Sequence, residues 1–179
     1  MRRKRVREIC RAMKRSRVAV VGDIMLDRYM WGQVERISPE APVPIVAVAE
    51  TSVRLGGAAN VAWNLASLGV RANLAGIVGK DASGADLRRM LRGKGISTAS
   101  LVVDPRRPTT EKIRIVAHNQ QVVRADFESG SPIAEDVLRR LVAAVSRAVA
   151  GARVVIVSDY GKGVVSSAVM DFIRARNLP

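Results

Sequence analysis

The chain has 179 residues, of which 48% are hydrophobic and 26% charged, and this composition is typical of one globular domain with a sizeable core. Its single cysteine, Cys10, excludes an internal disulfide framework and, with one histidine (His118), argues against a zinc site. No apolar run reaches the roughly 18 residues needed to cross a bilayer, so we expect a cytoplasmic protein with no membrane partner.

The net charge of +14 is concentrated at the start of the chain. Residues 1–17 carry nine basic residues against Glu8 alone, a net +8, while Val6, Ile9, Cys10 and Met13 recur at helical spacing. The pattern predicts a short amphipathic helix. This helix is either a basic arm that binds nucleic acid or an anionic surface, or a solvated cationic helix that docks on the protein by its small apolar stripe. No aromatic residues interleave with the basic ones, which disfavours nucleic acid as a partner.

Strands and helices alternate along most of the remaining sequence. Apolar runs predict strands at 17–21, 29–37, 43–49, 72–78, 100–103, 111–117, 122–127 and 154–157, and helical spacing predicts helices at 58–68, 81–92, 134–149 and 165–176. This order predicts an α/β fold with a mostly parallel sheet flanked by helices. The extended segments at 29–49 and 111–127 interrupt the alternation, and they predict a separate small β-sheet.

Polar, glycine-containing segments follow two of the predicted strands and precede one helix. They are Gly22 to Asp27, Leu55 to Asn60 and Ser158 to Gly163. Because ligands of open α/β sheets bind beyond the carboxyl ends of the strands, these three segments are the candidate site.

Gly56 and Gly57 allow the backbone to approach a ligand closely, and Asn60 offers a donor and an acceptor that suit a hydroxyl group. The alternative for this pair is a tight turn before a helix. The pattern is neither the dinucleotide-binding fingerprint nor the phosphate-binding P-loop.

Three carboxylates follow predicted strands: Asp23, Asp27 and Asp159. A carboxylate there can accept hydrogen bonds from two neighbouring hydroxyls of a sugar, although a helix cap is an equally good explanation for the first two. Lys162, between Gly161 and Gly163, can present an ammonium group to a phosphate, or it is an ordinary loop lysine between turn glycines.

Together these residues resemble the ribokinase-like (PfkB) family of carbohydrate kinases. The stretch LGGAANVAWNLASLG, Leu55 to Gly69, is similar to that family's first signature, and VVGDIMLDRY is similar to its opening strand. Within the family, RISPEAPVPIV, NQQVVRADFE and SDYGKG resemble the heptose-7-phosphate kinases. The resemblance extends over nearly the whole chain after residue 17, so residues 18–179 are expected to be the N-terminal part of one kinase domain.

The resemblance implies a main α/β sheet with a small β-sheet lid, formed by segments near 28–49 and 110–128. It implies transfer of the ATP γ-phosphoryl group, with Mg²⁺, to the anomeric hydroxyl of heptose 7-phosphate in ADP-heptose and lipopolysaccharide synthesis. It also implies homodimers that pair through the lid.

The same resemblance assigns roles to individual residues. Asp27, Gly56, Gly57 and Asn60 would hold sugar hydroxyls, Asp159 would approach the sugar from a neighbouring strand, and Lys162 would neutralise phosphate charge. Four lid residues would either contact the 7-phosphate or seal the site: Lys112, Arg114, Asn119 and Arg124.

One departure from the family pattern concerns its second signature, Gly-Ala-Gly-Asp, which carries the catalytic base and does not occur here. We therefore expect the base and most of the ATP site beyond Pro179, no metal ligands in this chain, and at best weak sugar binding without turnover. Two alternatives remain: another sugar or nucleoside kinase of the family, or a non-catalytic sugar-binding or dimerisation module.

Overall fold

The structure, a computed structural model, describes residues 3–177. Leu178 and Pro179, where the sequence predicts that a further strand would begin, lie outside the described residues, as do Met1 and Arg2. The helices are α1 (Arg3–Lys14), α2 (Gly57–Ser67), α3 (Ala82–Gly93), α4 (Glu135–Val149) and α5 (Ser167–Arg174). The strands are β1 (Arg17–Gly22), β2 (Ile24–Ile37), β3 (Pro44–Gly56), β4 (Arg71–Gly79), β5 (Leu101–Asp104), β6 (Thr110–Ala117), β7 (Gln120–Phe127) and β8 (Val154–Ser158).

The main sheet has the strand order β5-β4-β1-β8, and all its pairings are parallel. Alternate residues of β1 face opposite sides of this sheet. Val21 packs with the apolar sides of α4 and α5, whereas Val20 packs with Leu74 and the residues of α2 and α3. The predicted parallel sheet flanked by helices is confirmed, and it forms two apolar layers, one on each face.

A second sheet of four strands forms the lid, in the order β3-β2-β6-β7. β2 runs antiparallel to β3 and parallel to β6, and β6 and β7 form a hairpin. The lid strands are longer than the sequence predicted, because β2 already begins at Ile24 and β3 continues to Gly56. Only Asp23 separates β1 from β2, so the chain passes directly from the main sheet into the lid.

Helix α1 forms where the amphipathic pattern predicted a helix. Val6, Ile9 and Cys10 are exposed and Met13 is half-buried, so the apolar stripe is mostly not docked on the body of the protein. Within residues 3–177, no helix combines the length and the apolarity needed to cross a bilayer.

Asp81 joins the start of α3 to the start of the lid hairpin. Its carboxylate accepts hydrogen bonds from the Gly84 amide and from the hydroxyl and amide of Thr109, each at 2.7 Å. Burial alone would raise the pKa of Asp81, but the hydrogen bonds from Thr109 and Gly84 outweigh it and hold the pKa below its ordinary value. This carboxylate therefore anchors the point where the chain enters β6.

Candidate functional site

The two glycines at 56 and 57 form a direct junction between β3 and α2, with no intervening loop. Gly57 has φ +53°, and a Cβ added to it would lie 2.3 Å from the backbone oxygen of Asp23. That same oxygen accepts a hydrogen bond of 2.8 Å from the amide of Ala58. Glycine is therefore required here by backbone packing, independently of any ligand.

Asp27 lies in the lid strand β2 and faces this junction. A Cβ added to Gly56 would lie 2.6 Å from Oδ2 of Asp27, so the glycine leaves room for the carboxylate. Arg114 of β6 donates a hydrogen bond to the other oxygen of Asp27, and both side chains are about four-fifths buried. Asp27 is thus held near the start of β2, an inner strand of the lid, as half of an ion pair.

An open cavity of about 390 Å³ lies between the lid, α2 and the end of α3. Asp27 and Asn60 both line it, which brings together two of the residues that the sequence predicted to bind a sugar. Its volume is in the range of small-molecule sites. The other lining residues are Tyr29, Val53, Arg54, Leu55, Trp63, Met90 and Lys94.

Asp23 is 1% exposed and organises the segment after β8. Its carboxylate accepts hydrogen bonds from the backbone amides of Tyr160, Lys162 and Val164, at 2.7, 3.1 and 3.3 Å. The interpretation of Asp23 as a sugar-binding carboxylate is therefore not supported, because its oxygens are used inside the protein. It is not a helix cap either.

Asp159 and Lys162 lie in this same segment. Asp159 is exposed and accepts a hydrogen bond of 2.9 Å from the amide of Gly161. Lys162 donates through Nζ to Glu128, just beyond β7, at 2.7 Å. Because several amides of the segment already bind the two aspartates, the loop does not present a free cradle of amides to an anion.

Two of the predicted lid residues, Lys112 and Arg124, share one carboxylate on the face that carries Asp27. Lys112 lies opposite Asp27 in register and binds Asp126 at 2.8 Å, and Arg124 binds Asp126 at the same distance. The hydrogen bond from Lys112 lowers the pKa of Asp126, and that from Lys162 lowers the pKa of Glu128. The charges of Lys112, Arg124 and Lys162 are therefore compensated by neighbouring carboxylates.

Asn119 is placed apart from the other predicted residues. His118 and Asn119 form the two-residue turn between β6 and β7, with φ values of +50° and +62°. Asparagine tolerates this left-handed conformation, so the turn accounts for its presence. Asn119 borders a separate depression with Trp31 and Gln33 and does not line the cavity that holds Asp27.

Sequence reasoning missed the four aromatic or charged residues that line the cavity beside Asp27: Tyr29, Arg54, Trp63 and Lys94. Trp63 follows Asn60 by three residues on α2, and Tyr29 follows Asp27 by two on a strand, so these two could have been placed on the same faces. The sequence contains no comparable signal for Arg54 and Lys94.

The described residues do not fit a dedicated magnesium site. Across residues 3–177, no group of three or more histidine, cysteine, aspartate or glutamate side chains comes together. Both oxygens of Asp23 accept hydrogen bonds from backbone amides, and Oδ1 of Asp27 accepts one from Arg114. Of these two carboxylates, the contacts among the described residues leave only Oδ2 of Asp27 for a ligand, and a single oxygen does not form a magnesium site. No step of the chemistry is therefore assigned to a metal held by this chain.

The fold is that of the ribokinase-like kinases. A carbohydrate kinase from Agrobacterium tumefaciens superposes with a TM-score of 0.68 at 20% identity, over 92% of this chain and 52% of that one. Phosphofructokinase-2 from Escherichia coli, in its tetrameric inhibited form, gives a TM-score of 0.65 at 17% identity, over 91% and 52%. At these identities the similarity concerns the fold alone.

The chain belongs to the pfkB family of carbohydrate kinases, which it matches over residues 15–175. It is 52% identical to a D-beta-D-heptose 7-phosphate kinase of Bordetella bronchiseptica, over 84% of this chain and 47% of the relative. It is 49% identical to the bifunctional protein HldE of Caulobacter vibrioides, over 89% and 32%. The chain thus spans between about a third and about half of the curated relatives it matches.

Proposed function

We propose that this chain carries the sugar-binding part of a kinase that phosphorylates heptose 7-phosphate at its anomeric hydroxyl, in ADP-heptose synthesis. The observation that carries the proposal is the cavity in which Asp27, held against Gly56, faces Asn60 at the start of α2. The relatives' names support the choice of sugar. ATP, bound with Mg²⁺, would supply the phosphoryl group.

The residues of this chain bind and orient the sugar. The carboxylate of Asp27 accepts hydrogen bonds from neighbouring hydroxyls, Asn60 both donates and accepts, and Gly56 keeps the space beside Asp27 open. Asp159, exposed just after β8, does not line the cavity and would approach the sugar from the main sheet. The ammonium group of Lys162 is paired with Glu128. To neutralise a phosphate, Lys162 would leave Glu128 and bind the phosphate in its place.

The test is a calorimetric titration of the purified chain with heptose 7-phosphate, a second phosphosugar and a nucleoside. We expect heptose 7-phosphate to bind best, and Asp27→Asn to weaken its binding about tenfold or more. The amide places a donor where the carboxylate accepted charge-assisted bonds, each worth about 1.5–3 kcal/mol. Asn60→Ala should weaken binding by a smaller factor.

Asp171→Asn on α5 is the matched control, since it removes the same charge from an exposed site. Equal binding by Asp27→Asn and the unmodified chain would contradict the sugar-binding role of Asp27. Preference for the nucleoside or the second phosphosugar would favour another kinase activity of the family.

We also propose that two copies of the chain form a homodimer through their lids. Val123 and Phe127 of β7 are 49% and 53% exposed, and both lie on the face of the lid opposite to Asp27. Edge strands with exposed apolar side chains commonly pair with another chain. Sedimentation should show a dimer at high micromolar concentration that Phe127→Lys weakens; a strict monomer would contradict the proposal.

A further inference from the structure

Two cations of the cavity differ from the other cations around it. Arg54 and Lys94 both line the cavity that holds Asp27 and Asn60. Lys112, Arg114 and Lys162 are each paired with a carboxylate. Neither Arg54 nor Lys94 has a carboxylate within ion-pair distance among residues 3–177. Neither cation therefore belongs to an ion pair in the described part of the chain.

These two cations contact aromatic rings instead, and Arg114, which is paired with Asp27, lies over the same Tyr29 ring at 5.3 Å. Nζ of Lys94 lies 3.4 Å from the ring centroid of Trp63, and the guanidinium carbon of Arg54 lies 5.1 Å from that of Tyr29. A ring face fixes the position of a cation without cancelling its formal charge. Each of these cations can therefore bind an anion without first displacing a carboxylate.

Both ring pairs lie one structural repeat away from the residues proposed to bind sugar hydroxyls. Trp63 follows Asn60 by three residues, about one helical turn of roughly 5 Å along α2. Tyr29 follows Asp27 by two residues on the same face of β2, a distance of roughly 6.6 Å. Arg54 lies opposite Asp27 in register on β3. These cations are therefore within reach of a substituent on a sugar ring that Asp27 and Asn60 hold.

We propose that Arg54 and Lys94 bind the phosphate group that the sugar substrate already carries, at the end away from the reacting hydroxyl. The inference rests on the proposed function and differs from the sequence-based expectation, which assigned Lys112, Arg114, Asn119 and Arg124 to this phosphate or to sealing the site. Three of those residues are already paired with carboxylates, and Asn119 forms the hairpin turn. A phosphate at Arg54 and Lys94 gains two charge-assisted contacts without breaking an ion pair.

The experiment compares the affinities of the purified chain for heptose 7-phosphate and for the unphosphorylated heptose. The variants are Arg54→Met and Lys94→Met, singly and together. Arg92→Met is the control, because Arg92 is an exposed cation at the end of α3 that does not line the cavity. We expect the unmodified chain and the control to prefer the phosphorylated sugar about tenfold or more, and the double variant to bind both sugars about equally.

Phosphorus NMR titration with inorganic phosphate tests the same pocket without the sugar. Phosphate binding that the double variant loses and the control keeps supports the pocket, even if neither sugar binds, in which case the proposed function alone fails. If both sugars bind and the double variant keeps the preference for the phosphorylated one, the pocket is refuted and the proposed function stands. Absence of phosphate binding by the unmodified chain at millimolar concentration also refutes the pocket.

Discussion

Replacing Asp23 by alanine is expected to lower the free energy of unfolding by about 3–5 kcal/mol. The carboxylate is 1% exposed and receives the amides of Tyr160, Lys162 and Val164. A buried amide that loses its acceptor costs about 1–3 kcal/mol, and charged acceptors are at the upper end of that range. Removal of one side chain would leave three amides to find water or to rearrange.

A shift of the backbone at residue 23 should be transmitted beyond the segment 158–164. The backbone amide of Asp23 donates to the oxygen of Ser158 at 3.0 Å, and its backbone oxygen binds the amide of Ala58 at the start of α2. One residue therefore joins the end of β1, the segment after β8 and the first turn of the helix that carries Asn60. A change at residue 23 should disturb the cavity and the segment around Lys162 together.

Urea unfolding of three variants tests this role. Asp23→Asn keeps one oxygen acceptor and should lose less stability than Asp23→Ala. Asp159→Ala is the matched control, since that carboxylate is exposed and binds the amide of Gly161 alone, and its loss should change stability by less than about 1 kcal/mol. Similar midpoints for Asp23→Ala and Asp159→Ala would contradict the role assigned to Asp23.

The main sheet could be predicted from the sequence because its strands are short apolar runs bounded by polar residues or glycine. Val18 to Val21 and Val154 to Val157 are such runs, and they are adjacent parallel strands in the structure. The start of β2 was missed for a physical reason. Ile24, Met25 and Leu26 are all buried, so this part of the strand lacks the alternation that reveals a half-exposed strand.

The contacts that define the site were less predictable because they join distant parts of the chain. Asp23 binds the amide of Lys162 across 139 positions, and Lys162 binds Glu128 across 34. Residue types and spacing indicated that Asp23 and Lys162 were special, but they did not show what either one contacts. The contact of Asp23 depends on the register of β1 with β8, which brings Gly22 opposite Ser158.

Gly57 is the second position at which one substitution should greatly lower stability, here through the addition of a methyl group. With φ +53°, an alanine there adopts a left-handed conformation that costs about 1–2 kcal/mol. Its Cβ would also lie 2.3 Å from the backbone oxygen of Asp23, closer than atoms can approach, so the junction must shift. We therefore expect Gly57→Ala to lower the free energy of unfolding by about 3 kcal/mol or more.

Gly95→Ala separates the two contributions. Gly95 has φ +72°, and a Cβ added there meets no atom within 4 Å, so this variant carries the conformational strain without the clash. It should lose about 1 kcal/mol, since alanine also restricts the unfolded chain. The difference between the variants, measured by urea unfolding, then reports how tightly β3, Asp23 and α2 are packed. Equal losses would show that the junction relaxes at little cost, and that Gly57 is needed only for its backbone conformation.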